Sequence, residues 1–384
     1  MATVLVLGGD GYLGWPTAMS LSAAGHDVHL ADNYLRRRLA VCTDNDPLWE
    51  APNLQSRCDL WHRRSGRQVT PHIVDLAERS DCDQLFAEVR PDTVVHYAEQ
   101  PSAPYSMLND AAASLTLHNN VGVTLNVVLA IHRHVPDCHL VKLGTMGEYG
   151  TPACDIPEGW FEFEFRGRKH RSLFPRAAGS LYHTTKVMDT DLLWFYTRIW
   201  KLRVTDLMQG PVYGIETEEN TGCPDLYPCF AYDELFGTVL NRFIVQAVAG
   251  HPLTVYGKGG QTRGYLNIRD TLNCIKLAIG TPASQGELRV FNQFTETFSV
   301  NQLAELVRSS ADAAGLGPVQ VTRIENPRVE LEDHYYNPDH TGLLDLGLKP
   351  HYLTEDCLSR MIAIVAANRD RIKPHRIFRG VRWK

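Results

Sequence analysis

Along the first hundred residues, short apolar runs alternate with stretches of helical spacing. Thr3 to Leu7 is a run of β-branched and leucine residues, the pattern of a strand buried on both faces. Gly8-Gly9-Asp10-Gly11-Tyr12-Leu13-Gly14 follows at once, and Ala18, Leu21 and Ala24 then recur at helical spacing. Asp27 to Ala31 reads as a second strand ending in Asp32. A third is expected over Thr70 to Val74, just before Asp75-Leu76, a fourth over Asp92 to Ala98 and a fifth over Leu140 to Leu143. Ser180 then opens a helix that continues through Val187, Leu192 and Leu193. Strands and helices alternating in this way predict an α/β fold, a doubly wound, mainly parallel sheet with helices on both faces.

The same pattern divides the chain. Residues 1–213 are expected to form the nucleotide-binding domain, and 265–294 to return to it through a strand and helix around Tyr265 to Ile279 and a strand near Val290 to Asn292. Residues 214–264 and 295–384 are left for a smaller substrate-binding domain, including a helix over Val300 to Ala313. A polar insert between Cys42 and Gln68, with Trp49, Trp61 and Arg63-Arg64, exceeds normal loop length. It is read as a substrate-side excursion or a helix of its own.

Composition excludes several classes. The 384 residues are 44% hydrophobic and 21% charged, ordinary for a globular protein, with a net charge of -6. That balance gives no general affinity for nucleic acid or an anionic membrane. No apolar run approaches the ~20 residues of a membrane span, and the start lacks the basic flank of a signal peptide. A cytoplasmic protein is expected. The nine cysteines form no C-x-x-C pair and the 16 histidines no H-E-x-x-H, so reduced thiols and no metal are expected.

Glycines at 8, 11 and 14, between a buried strand and a helix, suit a tight turn whose N–H groups approach a pyrophosphate. Asp32, at the end of the second strand, can bind both hydroxyls of an adenosine ribose and repels a 2′-phosphate, which favours NAD in a Rossmann-type domain. Arg36, Arg37 and Arg38 could attract such a phosphate or form a solvated helix end. Asp75 stands where the adenine edge is met. The expected cofactor wall comprises Gly8, Asp10, Gly11, Tyr12, Leu13, Gly14, Asp32, Asn33, Arg36, Asp75, Leu76, Tyr97, Ala98, Asn119, Tyr182 and Lys186.

Tyr182 and Lys186, four apart, share one helical face. The ammonium is expected to lower the phenol's pKa, so that a phenolate can take a hydroxyl proton while hydride leaves the same carbon. Thr145, at the end of the fifth strand, would hold the reacting hydroxyl. A binding protein that had lost this chemistry would lack the tyrosine or the lysine, and both are present.

These residues match the extended short-chain dehydrogenases. The segments GGDGYLGW, EQPSAPYSM, HNNVGVTLNV, HLVKLGTMGEYGTP, GHPLTVYGKGGQTRGYLNIRDT, FNQFTETFSVNQLAELV and NPRVELEDHYYN closely resemble the UDP-sulfoquinovose synthase family, from Gly8 to Asn337. The resemblance implies bound NAD and a sugar-nucleotide substrate, oxidation at C4, loss of water across C5–C6, addition of sulfite and return of the hydride. It puts Thr145, Tyr182 and Lys186 on the family's catalytic residues and Arg263 and Arg328 on the diphosphate, a role that suits guanidinium forks. Gln100, Ser102, Tyr105, Met146, Gly147, His183 and Gln209 join Thr145 on the substrate side. It also implies a homodimer built on helices around His118 to His132 and Lys186 to Arg198.

The 4-ketone acidifies the hydrogen on C5. Related 4,6-dehydratases carry Thr-Asp-Glu at the strand end, where this chain has Thr145, Met146 and Gly147. An ordinary 4,6-dehydratase is therefore disfavoured, and Glu148 and His183 are the candidates for proton transfer at C5 and O6. A 4-epimerase needs neither group and remains a third reading. Two departures matter. Pro101 stands where the family has an arginine suited to sulfite, and proline offers neither charge nor donor. Met188 replaces the family's histidine, and Asn220 to Phe230 also looks unlike it. The chain is thus read either as a divergent synthase or as a stand-alone 5,6-dehydratase of a sugar nucleotide or nucleoside in secondary metabolism.

Overall fold

The computed structural model describes residues 1–327 and 335–377. Seven parallel strands form the central sheet in the order Leu288–Gln293, Arg203–Gln209, His139–Thr145, Thr93–His96, Thr3–Leu7, Asp27–Asp32 and Val69–Ile73. The order reverses between Thr3–Leu7 and Thr93–His96, which opens a crevice at the carboxyl ends of those strands, the usual ligand position of a doubly wound sheet. Val4, Leu5, Val6 and Leu7 are fully buried, as a strand covered on both faces requires.

The smaller lobe packs helices Val239–Ala249, Val300–Ala313 and Glu355–Ala366 around a core that includes Leu240, Phe243, Val307 and Ile362. Each helix opens on a side chain that caps a free N–H: Thr238, Ser299 and Thr354. Ser299 and Gln302 complete a capping box.

The returning segments behave differently from one another. Leu288–Gln293 joins the large sheet beside Arg203–Gln209, and helix Ile268–Gly280 packs on helix Gly14–Ala23. The strand at Tyr265, Thr262–Asn267, instead pairs with Val212–Tyr213 and Glu296–Ser299 in a separate three-stranded sheet. The apolar pattern of its six residues carries no signal for its partner, so only tertiary contact assigns it.

The insert contains helix Leu54–Ser65, capped by Asn53 and ended by Gly66 in the left-handed region (φ 69). Its Leu54, Cys58 and Trp61 pack with Trp15 and Met19 of the nucleotide-binding half. Ahead of the helix, Trp49 stacks on Phe230 at 5.2 Å and donates its indole N–H to the Pro228 carbonyl at 3.1 Å. The insert therefore ties the two lobes together.

A hairpin unforeseen from the sequence, Trp160–Phe165 and Arg168–Leu173, turns through Arg166 and Gly167, both at positive φ. Helix Asp110–His134 has 25 residues and is, by length and composition, apolar enough to cross a membrane, against the expectation of no such run. Here it is a layer of the fold, packed on helices Arg79–Val89 and Leu181–Trp200.

Candidate active site

The glycine turn closes on itself. Gly8 sits at φ +83, and a Cβ there would lie 2.7 Å from the Tyr97 carbonyl carbon. A Cβ on Gly14 would lie 2.0 Å from the Gly8 carbonyl oxygen. No larger residue fits, and the turn leads into helix Gly14–Ala23, whose N-terminus favours an anion. The Asp32 carboxylate accepts the Asp10 N–H at 2.9 Å and the Tyr34 N–H at 2.6 Å. Burial, then the charge of Asp10, pushes its pKa up to about 6.

Asp10 itself is bound by two guanidinium groups. Arg37 donates to it through Nε at 2.6 Å and Nη2 at 2.7 Å, and the buried Arg57 of the insert helix pairs with Oδ1. Arg37 also reaches the carbonyls of Ala51 at 2.7 Å and Pro52 at 2.8 Å, while Arg38 bonds the Asn33 carbonyl. Arg36 lies flat over Phe236, 3.5 Å from the ring centroid. Arg37 and Arg38 are thus committed to the protein, which removes two of the three candidate partners for a 2′-phosphate.

A continuous cavity of about 640 Å³ runs from Asp32 to Tyr182. Of the expected cofactor wall, Gly8, Asp10, Gly11, Tyr12, Leu13, Gly14, Asp32, Asn33, Arg36, Asp75, Leu76, Tyr97, Ala98, Asn119 and Tyr182 line it. Lys186 does not; it lies behind Tyr182. The wall also takes Asp46, Pro47, Glu50 and Ala51 from the insert and Leu235 to Thr238 from the smaller lobe. The insert is therefore at the Asp32 end, away from Thr145 and Tyr182. Its polar residues gave no sequence signal for this. The glycine cradle, the Asp32 carboxylate and the length of the cavity fit NAD.

At the other end Thr145, Gln209, Ser102, Pro101 and Tyr182 line the cavity together. Thr145 accepts the Gly147 N–H at 3.2 Å and keeps its hydroxyl proton for donation. Lys186 is buried, donates to the Leu143 carbonyl at 2.5 Å and pairs with Glu99. Its Nζ is 5.9 Å from the centroid of the Tyr182 ring. Burial first, then the charge of Glu99, raises the Tyr182 pKa, whereas Lys142 lowers it. The expected lowering by Lys186 is thus countered in this geometry, because Glu99 takes up that ammonium. Glu99 lies inside EQPSAPYSM, but only the fold brings it to Lys186.

Several expected site residues sit elsewhere. Glu148 is fully buried beneath the strand end, bonded to the Thr145 N–H at 3.3 Å, Lys142 Nζ at 3.4 Å and Thr190 Oγ1 at 3.2 Å. It is a structural partner of Lys142 and does not line the cavity. Met146 packs in the core. The His183 ring lies against Gly147, where a Cβ would come 2.4 Å from Nε2, and its Nδ1 bonds Ser180 Oγ at 3.0 Å. Neither Gly147 nor His183 is on the cavity wall. Gln100 turns inward to Thr116 Oγ1 at 2.9 Å and the Ser102 carbonyl at 3.0 Å. Tyr105 stacks on Phe236 behind the wall. Arg263 stands off the cavity on the three-stranded sheet, and Arg328 lies outside the described residues.

The model of the NAD dependent epimerase/dehydratase family matches residues 4–292. A UDP-sulfoquinovose synthase of Spinacia oleracea chloroplasts is 48% identical over 381 residues, covering 99% of this chain and 79% of that one. A UDP-sulfoquinovose synthase of Sulfolobus acidocaldarius is 42% identical over 384 residues, covering 99% and 97%. Among solved structures, the UDP-glucose 4-epimerase of Bifidobacterium longum with NAD+ and UDP superposes with a TM-score of 0.72 at 18% identity, covering 96% of this chain and 100% of that one. That similarity concerns the fold. Glycine cradle, seven-stranded sheet and relatives agree: the chain belongs to the NAD dependent epimerase/dehydratase family.

Proposed function

We propose that the protein oxidises C4 of a UDP-hexose, with UDP-glucose the first candidate, and eliminates water across C5–C6. The observation that carries this reading is the placement of Thr145 and Tyr182 on the wall of the same cavity that begins at the glycine cradle. NAD, when bound there, supplies the hydride acceptor. Thr145 donates its hydroxyl proton to the sugar oxygen and fixes its position. Tyr182 takes the hydroxyl proton, as a general base, and gives it back when the ketone is reduced. Between those events the 4-ketone acidifies C5–H: that proton is removed, its electron pair forms the C5–C6 double bond, and the C6 hydroxyl takes up a proton and departs as water. Relatives named UDP-sulfoquinovose synthase favour this order of events.

A second reading, dehydration without sulfite, is favoured by one observation. Pro101 lines the wall beside Ser102, and the arginines that line the cavity among the described residues, Arg36 and Arg37, stand at its Asp32 end. Pro101 itself offers sulfite neither charge nor donor.

The same reading gives cofactor contacts to 1–213 with 265–294, lets Ser102, Thr145 and Gln209 of that domain share in holding the sugar, and leaves the remaining sugar contacts to 214–264 and 295–384. It makes the protein a cytoplasmic homodimer, paired through helices Asp110–His134 and Leu181–Trp200. The deciding experiment incubates purified protein with UDP-glucose, with and without sulfite, and resolves products by mass. A sulfite-dependent sulfonate establishes the synthase; loss of water alone establishes the dehydratase; an unchanged mass with inversion at C4 leaves an epimerase. In Tyr182→Phe, turnover should fall at least about 100-fold while bound NAD is retained. A variant as active as the wild type removes Tyr182 from the mechanism.

A further inference from the structure

A second cavity, of about 250 Å³, lies on the seam between the lobes and shares no residue with the cavity described above. Gly214, Ile215 and Glu216 form one side of it. Asn267 and Arg269, where helix Ile268–Gly280 begins, form another, and Thr354, Cys357 and Arg360 of the smaller lobe a third. Between the two cavities stands a hydrogen bond of 2.6 Å from the Tyr12 hydroxyl, on the wall of the first, to the Gly214 carbonyl, on the wall of the second.

The charges on this wall are not all paired. Arg360 is taken up by Glu216, whose carboxylate also accepts the Tyr227 hydroxyl at 2.7 Å and the Gly222 N–H at 3.1 Å. Asp356 is exposed in the first turn of helix Glu355–Ala366, where a carboxylate complements the helix dipole. Arg269 is left over. Its guanidinium is half-buried on the cavity wall and has no acceptor among the described residues.

The neighbours of Arg269 are donors as well. Asn267 gives its Oδ1 to the Arg269 backbone N–H at 3.0 Å, and its Nδ2 meets Cys357 Sγ at 3.8 Å, a weak acceptor. Thr354 Oγ1 accepts the Cys357 N–H at 3.2 Å and keeps its own proton for donation. His351 gives its Nδ1–H to Asp270 at 2.6 Å, which leaves Nε2 as the open nitrogen of that ring. The wall is thus rich in donors and poor in acceptors, the complement of an anion. Its donors stand on separate sides, which suits oxygens that point apart better than the planar pair of a carboxylate.

We propose that this seam cavity is an accessory binding site for a small tetrahedral oxyanion of the phosphate or sulfate class, free or as the ester of a small alcohol. Arg269 holds it with a guanidinium fork, and Asn267 Nδ2 and the Thr354 hydroxyl donate to its other oxygens. The volume falls just below the ~300 Å³ at which pockets for larger ligands begin. Bound there, the anion ties the start of helix Ile268–Gly280 to the start of helix Glu355–Ala366, across the seam.

The test is calorimetric titration of NAD-loaded protein, with UDP added to fill the main cavity. Sodium phosphate, sulfate and acetate are compared at one pH, with chloride balancing the ionic strength. Phosphate or sulfate should saturate a single site per chain with a Kd of about 1 mM or below. Arg269→Gln should raise that Kd at least about tenfold, the worth of one hydrogen bond to a charged group. Arg269 lies off the main cavity, so its loss reports on the second cavity alone. No saturable binding, acetate binding as tightly as phosphate, or an unchanged Kd in Arg269→Gln overturns the proposal. Asn267→Ser is measured beside it, because serine still caps the helix but lacks the amide donor. Its Kd should rise about threefold, and an unchanged value overturns the proposal even if Arg269→Gln does not fold. Glycerol 3-phosphate distinguishes the two sources: tighter binding than inorganic phosphate, with the same dependence on Arg269, assigns the site to esters, and equal or weaker binding assigns it to the free anion.

Discussion

Asp32, on the cavity wall at the end of its strand, accepts two backbone N–H groups, and yet its pKa is raised to about 6 by burial and by Asp10. The sign follows directly. A carboxyl group whose folded pKa lies above its unfolded value stabilises the fold when protonated, an advantage present at low pH and lost as pH rises through about 6. Ribose hydroxyls donate to the ionised form, so NAD affinity should run the opposite way. Calorimetric titration should find the Kd for NAD about tenfold higher at about pH 5 than at about pH 7. Asp32→Asn should abolish that dependence; a wild-type Kd that is flat over the same range contradicts this role. The places of Asp32, Tyr182, Lys186 and Thr145 at a strand end or along a helix were legible because each sits at a fixed offset within its element. Glu148 was expected beside the sugar for the same reason, and its side chain is instead buried off the cavity. Three residues from Thr145 it is near in sequence, but the 3-10 turn Met146–Glu148 folds its carboxylate under the strand to Lys142.

At the scale of elements, the insert helix Leu54–Ser65 decides whether the glycine turn holds its shape. Arg57 is fully buried, lies 4.8 Å from the Trp15 ring centroid and binds Asp10 in the turn. Arg57→Leu keeps most of the volume but leaves Asp10 to Arg37 alone. Removing one partner of such a pair costs about 3–5 kcal/mol, so urea unfolding should shift by that order, and NAD should be lost on gel filtration. A change under about 0.5 kcal/mol would place Arg57 among ordinary surface charges. The helical spacing of this insert could be suspected from its length. Its position at the cofactor end could not, because Arg37, Arg57 and Asp10 meet only across 27 and 47 residues of chain. The hairpin Trp160–Phe165/Arg168–Leu173 is the reverse case: the alternation Phe161, Glu162, Phe163, Glu164, Phe165 was there to be read.

For the whole molecule, helix Leu181–Trp200 carries Met188, Phe195 and Ile199 outward, 45%, 44% and 55% exposed. Three large apolar side chains on the solvent side of one helix suit a second copy of that face, and a twofold pairing would place the same residues on both sides. Phe195→Glu should convert a dimer to a monomer in sedimentation velocity, with bound NAD retained. A wild-type monomer at micromolar concentration would remove this pairing.

The sequence by itself determined the parallel sheet, the glycine turn and the places of Asp32, Thr145, Tyr182 and Lys186 on their strands and helix, because those depend on period and on spacing within one element. Tertiary structure decided the rest. It took the strand at Tyr265 out of the large sheet, placed the insert over Asp10, buried Glu148 and Gln100, and delivered Glu99 to Lys186. Each of these pairs residues distant along the chain or turns a side chain inward, and charge burial responds to the full three-dimensional surroundings, which no local pattern encodes.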